Sequence, residues 1–305
     1  MKSILITGCA GFIGSVLAKH LLKYDYFIYG IDDLSKGTIK NLPKSKKFIF
    51  LKGKCEEPKI LSKIKKKIDV IFHAAGQASG ELSYYDPQND LNRNLLTTVK
   101  LLEFYKKKKC KQFIYFSSMG VYGNKIGQVS ETTDCKPISF YGLSKLVSEK
   151  YIIKYSEQNI NYTILRLFNV YGEGQKLTSL TQGMIRIYLK QIFSTNKLII
   201  KGSGKRFRDF VYIKDVVSIM RKLILNKSTY NQTLNLGYGK KYTVSQLVGF
   251  LKSKIKKNFK VKYINNTPSD QFGIYSNNKK IKKILKYKFK YNLKKGLDLF
   301  IKSVS

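Results

Sequence analysis

The chain has 305 residues, enough to bury a sizeable core as one or two domains, and carries 58 basic against 19 acidic residues for a formal charge of +39. Such a charge first suggests nucleic acid or a membrane surface, but all but six of the basic residues are Lys, spread along a sequence rich in Ile, Asn, Tyr and Phe, whereas phosphate recognition favours the Arg fork. Lys therefore reads as a solubilising residue, and neither a nucleic-acid nor a membrane partner is expected.

Cys9, Cys55, Cys110 and Cys135 show no paired or metal-ligand spacing, and only two His are present, so a reducing compartment and no metal are expected. No signal peptide precedes the first strand and no apolar run reaches membrane-spanning length, which points to a soluble, cytoplasmic protein.

Residues 3–14 read as a short apolar strand running into a turn with Gly8, Gly11 and Gly14, then a helix whose apolar face is Ile13, Leu17 and Leu21. Small residues let the backbone approach a pyrophosphate at the helix amino terminus. The spacing is Gly-x-x-Gly-x-x-Gly. A second strand, Tyr26 to Ile31, ends at Asp32-Asp33, 18 residues after Gly14. A carboxylate there would accept the adenosine ribose hydroxyls and repel a 2′-phosphate, favouring NAD over NADP, with no Arg beside it in sequence. Next come a strand at 47–51, a Lys-rich helix through about Lys67, and a strand from Asp69 ending in Ala74, Ala75 and Gly76. A long helix over 88–108 precedes a strand, Gln112 to Phe116, with Ser117-Ser118 at its carboxyl end, the edge where parallel sheets bind ligands.

Ser139 then caps a helix on which Tyr141 and Lys145 lie one turn apart. A nearby ammonium would make the phenol a usable base. The spacing alone is uninformative: Tyr-x-x-x-Lys occurs at Tyr105, Tyr141, Tyr275 and Tyr291, and with this composition about four are due by chance. Tyr141 stands out by its company, the glycine turn and Ser118. A strand over 162–169 completes an alternation of strands and helices that predicts a Rossmann-type, doubly wound parallel α/β sheet. After Gly172 the expected elements are a helix at 179–193, a strand at 198–201, a helix at 214–226, a strand near 233–236, a helix at 243–256, a strand near 260–264 and a helix near 293–303. Residues 1–171, with returning segments about 208–238, should hold the cofactor. Residues 172–207 and 239–305 should form a smaller α/β substrate domain.

Taken together, Thr7 to Gly14, Phe72 to Gly76, Phe116 to Ser118, Val121 to Gly123, Tyr141 to Lys145, Leu165 to Gly172, Arg208 to Tyr212 and Asn235 to Gly237 resemble the extended short-chain dehydrogenase/reductase family. Within it, the chain is similar to the nucleotide-sugar epimerases and dehydratases. The resemblance implies that Tyr141 takes a sugar hydroxyl proton, that Lys145 holds the nicotinamide ribose and lowers the Tyr141 pKa, and that Ser118 bonds the same hydroxyl. It assigns Gly8, Ala10, Gly11, Phe12, Ile13, Gly14, Asp32, Asp33, Leu34, Ala74, Ala75, Gly76, Asn94 and Ser117 to NAD, with a structural role competing at Asn94. Asn169, Arg208 and Asp270, with Ser118, would meet a nucleotide-diphosphate sugar, a UDP-sugar favoured; for Arg208 the alternative is an ion pair with Asp209. A homodimer is implied, with helices near 90–108 and 141–158 pairing through Val99, Leu102, Val147 and Tyr151.

Two departures concern substrate more than chemistry. Lys54 follows Gly53 where the family commonly has an acid, and Thr267-Pro268-Ser269-Asp270 lacks the Arg that often precedes this Asp. Ile274 falls where the family tunes room for an N-acetyl group. Met119-Gly120 follows Ser118 where a dehydratase usually carries acids, so C4 epimerisation is the expected reaction. A dehydratase, reductase or decarboxylase of the same family, or a non-catalytic NAD- or RNA-binding relative, is the alternative.

Overall fold

Strand β1 (Lys2–Thr7) is buried from Ser3 onward between neighbours on both sides, because Ile4, Leu5 and Ile6 present apolar side chains to both faces, as a central parallel strand requires. The structure is a computed structural model and describes residues 1–175, 177, 183–265 and 271–304. In chain order the next elements are α1 (Phe12–Leu21), β2 (Tyr26–Asp32), β3 (Phe48–Lys52), α2 (Pro58–Leu61), β4 (Val70–His73), α3 (Gly80–Tyr85), α4 (Pro87–Leu91), α5 (Thr97–Lys108) and β5 (Gln112–Ser118). Then follow β6 (Ile126–Val129), α6 (Phe140–Ser156), β7 (Tyr162–Leu167), β8 (Asn169–Tyr171), α7 (Met184–Thr195), β9 (Lys197–Lys201), β10 (Phe207–Tyr212) and α8 (Ile213–Leu223). The chain ends with β11 (Gln232–Leu236), β12 (Lys241–Thr243), α9 (Val244–Lys254), β13 (Lys260–Ile264), β14 (Gly273–Ser276), α10 (Lys279–Leu285) and α11 (Leu293–Lys302).

Seven strands pair in parallel in the order β11-β7-β5-β4-β1-β2-β3. Ile4 and Ile6 face a core shared with Leu17 and Leu21 of α1 and Ile219, Met220 and Leu223 of α8, while Leu5 faces the other layer with Leu101, Leu102 and Ile152. This is the doubly wound architecture the strand–helix rhythm implied. Smaller sheets, β12-β10-β8, β13-β9 and β14-β6, lie outside it.

Several local expectations are revised. The Lys-rich helix stops at Leu61, where Lys63, Lys65, Lys66 and Lys67 place like charges together, although Ile64 and Ile68 still pack into the core. The long helix is broken: Asp86 caps Asn89 N at 3.0 Å, Pro87 opens α4, and a π-helical turn over Asn92–Leu96 joins it to α5. The strand expected over 162–169 breaks at Phe168, whose N–H donates to Leu236 O, and β8 then pairs with β10. The start expected for the next helix falls partly outside the described residues, and α7 runs from Met184. Strands β6, β8, β12 and β14 are three or four residues long, too short to carry a period.

A buried ion pair fastens α6 to the sheet. Arg166 on β7 donates from Nη2 to Glu149 Oε2 at 2.7 Å and from Nε to Oε1 at 3.1 Å, with side chains 8% and 2% exposed. Removing one partner strands the other's charge. Arg166→Leu should therefore cost about 3–5 kcal/mol in urea unfolding, and adding Glu149→Leu should restore most of that loss.

Candidate active site

At the carboxyl edge of the sheet, β5 ends in Ser118 and leads into a 3-10 turn over Met119–Tyr122, while Ser139 Oγ caps α6 by accepting from Gly142 N at 3.1 Å. These two devices bring Ser118 and Tyr141 together across Gly120. A Cβ built at Gly120 would stand 3.4 Å from Ser118 Oγ and 3.7 Å from Tyr141 Cε1. Lys145, one turn along α6 and 5% exposed, donates from Nζ to Phe116 O at 3.0 Å. Its ammonium lies 4.9 Å from the Tyr115 ring centroid and 6.0 Å from that of Tyr141.

Burial works against the charged form of both groups. Burial raises the Tyr141 pKa, and the hydrogen bond from Ser118 offsets it only in part. Burial also lowers Lys145 to about 8, with Asp90 and then Glu149 pulling the other way. A positive charge beside the phenol would act against the effect of burial on Tyr141.

The cofactor crevice opens beside this pair. Gly8 has φ +70°, and a Cβ there would come within 2.8 Å of Ala75 N; one at Gly14 would lie 2.2 Å from Gly8 O. Helix α1 starts at Gly11 without a side-chain cap, so its first turn is available to an anion. Asp32 accepts from Ala10 N and Leu34 N, both at 2.9 Å, and Leu34 takes φ +62°. Asp32 thus organises the turn at the end of β2, and burial raises its pKa. Asp33 is opposed by burial but held low by its bonds from Ser35 and by Arg93. Arg93 Nη2 stands 3.3 Å from Asp33 Oδ2, so an Arg does reach this rim, contrary to the reading from sequence order; it arrives from the helix after β4.

Ala74 N donates to Thr7 O, and Ala75 N to Thr7 Oγ1 at 3.2 Å. His73 shares bonds with Thr7 and Thr98, and burial depresses its pKa to about 3, leaving it neutral. Asn94 sits on the π-helical turn, 1% exposed, its Nδ2 donating to Asp90 Oδ1 and Ser144 Oγ, both at 3.1 Å. Its Oδ1 is buried without a partner and would be 2.4 Å from a Cβ at Gly76. Gly76 therefore lets the backbone after β4 pack closely against this acceptor, where a side chain would clash. Glycine cradle, uncapped helix, ribose-edge carboxylate and orphaned acceptor fit a dinucleotide. Ser117 is different: its hydroxyl donates to Glu149 Oε1 at 2.5 Å, so only its backbone lines this edge.

On the substrate side, Asn169 Nδ2 donates to Asp209 O at 3.1 Å and contacts Met119 Sδ at 3.5 Å. Arg208, 6% exposed, donates to Phe207 O and Phe272 O, and burial followed by Arg206 lowers its pKa to about 10. Asp209 is fully buried and accepts from Tyr238 N, Gly239 N, Ser276 N and Ser276 Oγ, so it closes a turn instead of forming the surface ion pair. Asp270 lies outside the described residues. Ile274 is buried among Val121, Tyr122, Val129 and Phe168 with Met119 packed on the cluster. Among the described residues, no group of His, Cys, Asp and Glu could hold a metal, and no helix is long and apolar enough to cross a membrane.

Sequence reasoning missed the groups behind the site. Glu149 follows Lys145 by four, one turn on the same face, and that spacing was the available signal. Arg166, Tyr122 and Asn235 join it: Tyr122 OH donates to Asn235 Oδ1 at 2.6 Å and accepts from Arg166 Nη1 at 3.1 Å. Asp90 had no signal beyond being four before Asn94.

The profile of the NAD dependent epimerase/dehydratase family matches residues 4–237. The chain is 33% identical over 299 residues to a putative UDP-glucose 4-epimerase of Methanocaldococcus jannaschii, covering 96% of this chain and 95% of the other. It superposes with a TM-score of 0.91 on the UDP-glucuronic acid 4-epimerase from Bacillus cereus in complex with UDP-glucuronic acid and NAD, at 29% identity over 99% of this chain and 98% of that one. The UDP-N-acetylglucosamine 4-epimerase from Methanobrevibacter ruminantium in complex with UDP-N-acetylmuramic acid gives 0.93 at 28% identity, over 99% and 97%. On the profile match and the near full-length likeness, the chain belongs to the NAD dependent epimerase/dehydratase family.

Proposed function

We propose that the protein inverts C4 of a UDP-sugar, with NAD resident in the Gly8–Gly14 crevice. The observation that carries this reading is the convergence of Ser118, Tyr141 and Lys145 beside that crevice, with Met119-Gly120, which cannot transfer protons, directly after Ser118. When bound, NAD supplies the hydride acceptor at C4, returns the hydride, and adds the positive charge that the Tyr141 phenol lacks. Tyr141 takes the O4 proton, Ser118 bonds the same oxygen, and Lys145 holds the ribose. Asn169 and Arg208 meet the diphosphate, where a desolvated Arg makes charge-assisted bonds, and Asp270 belongs to the substrate site. Residues 1–171 with about 208–238 carry the cofactor, and 172–207 with 239–305 the sugar nucleotide. Free thiols at Cys9, Cys55, Cys110 and Cys135 are consistent with a reducing cytoplasm. The relatives named above span plain, acidic and N-acetyl sugars; buried Ile274 restricts space behind Met119 and favours none of them.

Epimerisation is redox-neutral. A panel of UDP-sugars separated by chromatography should yield C4 epimers without NADH accumulating, and Tyr141→Phe should lower turnover at least about a hundredfold while NAD stays bound. Stoichiometric NADH, or full turnover by Tyr141→Phe, would overturn the reading.

Lys145 must keep its charge to hold the ribose and favour the phenolate. Its pKa of about 8 places an alkaline limb near pH 8, with activity present below and lost above. Asp90 is the nearest source of compensating charge, so Asp90→Asn should move that limb to lower pH. A limb unmoved in the variant's pH–rate profile would remove Asp90 from this role.

The protein should also be a homodimer. Leu96, Leu143 and Tyr151 are 45–48% exposed beside α5 and α6, and part-buried Val99 and Val147 share these elements. Leu102 is fully buried in the sheet core and drops out of the proposed seam. Light scattering at micromolar concentration should give twice the chain mass, and Tyr151→Glu should shift it toward one.

A further inference from the structure

Arg93 has no role in the chemistry above, yet it links two sides of the cofactor crevice. Its carbonyl oxygen is 3.6 Å from where a Cβ at Gly76 would stand, beside the end of β4. Its guanidinium reaches the turn after β2, where Nη1 donates to Ser35 Oγ at 2.8 Å and Nη2 meets Asp33 Oδ2 at 3.3 Å. Nε donates to Asn89 Oδ1 at 3.0 Å, which fixes the side chain from its own helix. Because β4, β1 and β2 are neighbours in the sheet, this side chain must pass the end of β1, whose turn Gly8–Gly14 receives the cofactor. Backbone and side chain together bridge two strand spacings, roughly 10 Å. The Arg93 and Asp33 side chains are 34% and 26% exposed, so the bridge lies at the rim and not in the sheet core.

We propose that Arg93, Asp33 and Ser35 form a strap along the crevice rim, over the adenosine half of the dinucleotide, that must open before NAD is taken up or released. The inference rests on NAD occupying the Gly8–Gly14 crevice, not on which sugar is turned over. An ion pair at a partly exposed rim contributes little to folding, so it is suited to opening. A reaction that lends a hydride and takes it back gains from slow exchange, since reduced cofactor lost between the two transfers ends the cycle.

A barrier shared by uptake and release separates a strap from an ordinary contact, which changes release alone. Radiolabelled NAD and rapid filtration give both rates on the full-length protein. Arg93→Gln should raise release and uptake together, each about tenfold, with little change in the dissociation constant. Ser35→Ala should move both rates the same way by a smaller factor, and equal melting temperatures would show that the variants fold. Added salt should speed both processes in the wild type and leave Arg93→Gln unaffected. Faster release with unchanged uptake, or no change in either rate, would overturn the strap, while failure to bind NAD at all would overturn the cofactor reading beneath it.

Discussion

The Glu149–Arg166 pair is the interaction on which the reactive edge depends. Glu149 sits one turn beyond Lys145 on α6, and Arg166 sits in the strand beside β5. Once this carboxylate is buried it must be saturated. Arg166 supplies a fork, Ser117 a hydroxyl, and Arg166 Nη1 is left to engage Tyr122 and Glu131 O. Asn235 on β11 completes the network through Tyr122, and its N–H donates to Glu131 Oε1 at 2.7 Å. One ion pair thus fixes the rotation of α6 relative to β5, β7 and β11. Tyr141 and Lys145 inherit their positions from it.

That arrangement buries an ammonium and a phenol together, and burial acts against both charges. It pushes Tyr141 up and Lys145 down, which is the wrong direction for a base that needs an ionised phenol beside a protonated amine. Asp90 and Glu149 answer for Lys145, and a serine hydrogen bond answers in part for Tyr141. A cation bound beside the phenol would act in the same sense as that hydrogen bond.

Much of this was readable in the sequence where the local signal and the global fold agree. The glycine turn, Asp32, Ser118 and the Tyr141–Lys145 turn lie on elements long or apolar enough to declare themselves. Asn94 was placed near the cofactor by resemblance, but its surroundings were not, because a helical period hides a π-helical turn of five residues. Arg93 was unreadable for a related reason: its partners are 58 and 60 residues away, and only the order β4-β1-β2 brings them to one rim. The Lys-rich segment after Leu61 failed in the opposite sense: Ile64 and Ile68 keep a helical spacing and are buried, yet the run of like charges between them does not continue the helix. Short strands such as β8 and β14 exist only because β10 and β6 are there to pair with them.

The substrate side follows the same logic of buried charge. Asp209 and Arg208 are adjacent in sequence on β10, yet alternation sends them to different tasks. Asp209 gathers the 238–239 turn and Ser276 through three backbone N–H groups and a hydroxyl, which fixes β14 against β10 and so places Ile274 behind Met119. Arg208 donates to the carbonyls of Phe207 and Phe272, and burial lowers its pKa. Burial holds this guanidinium against backbone carbonyls and not against the neighbouring carboxylate. Separating the two neighbours lets Asp209 brace β14 from one side of β10 while Arg208 ties the other side to Phe272.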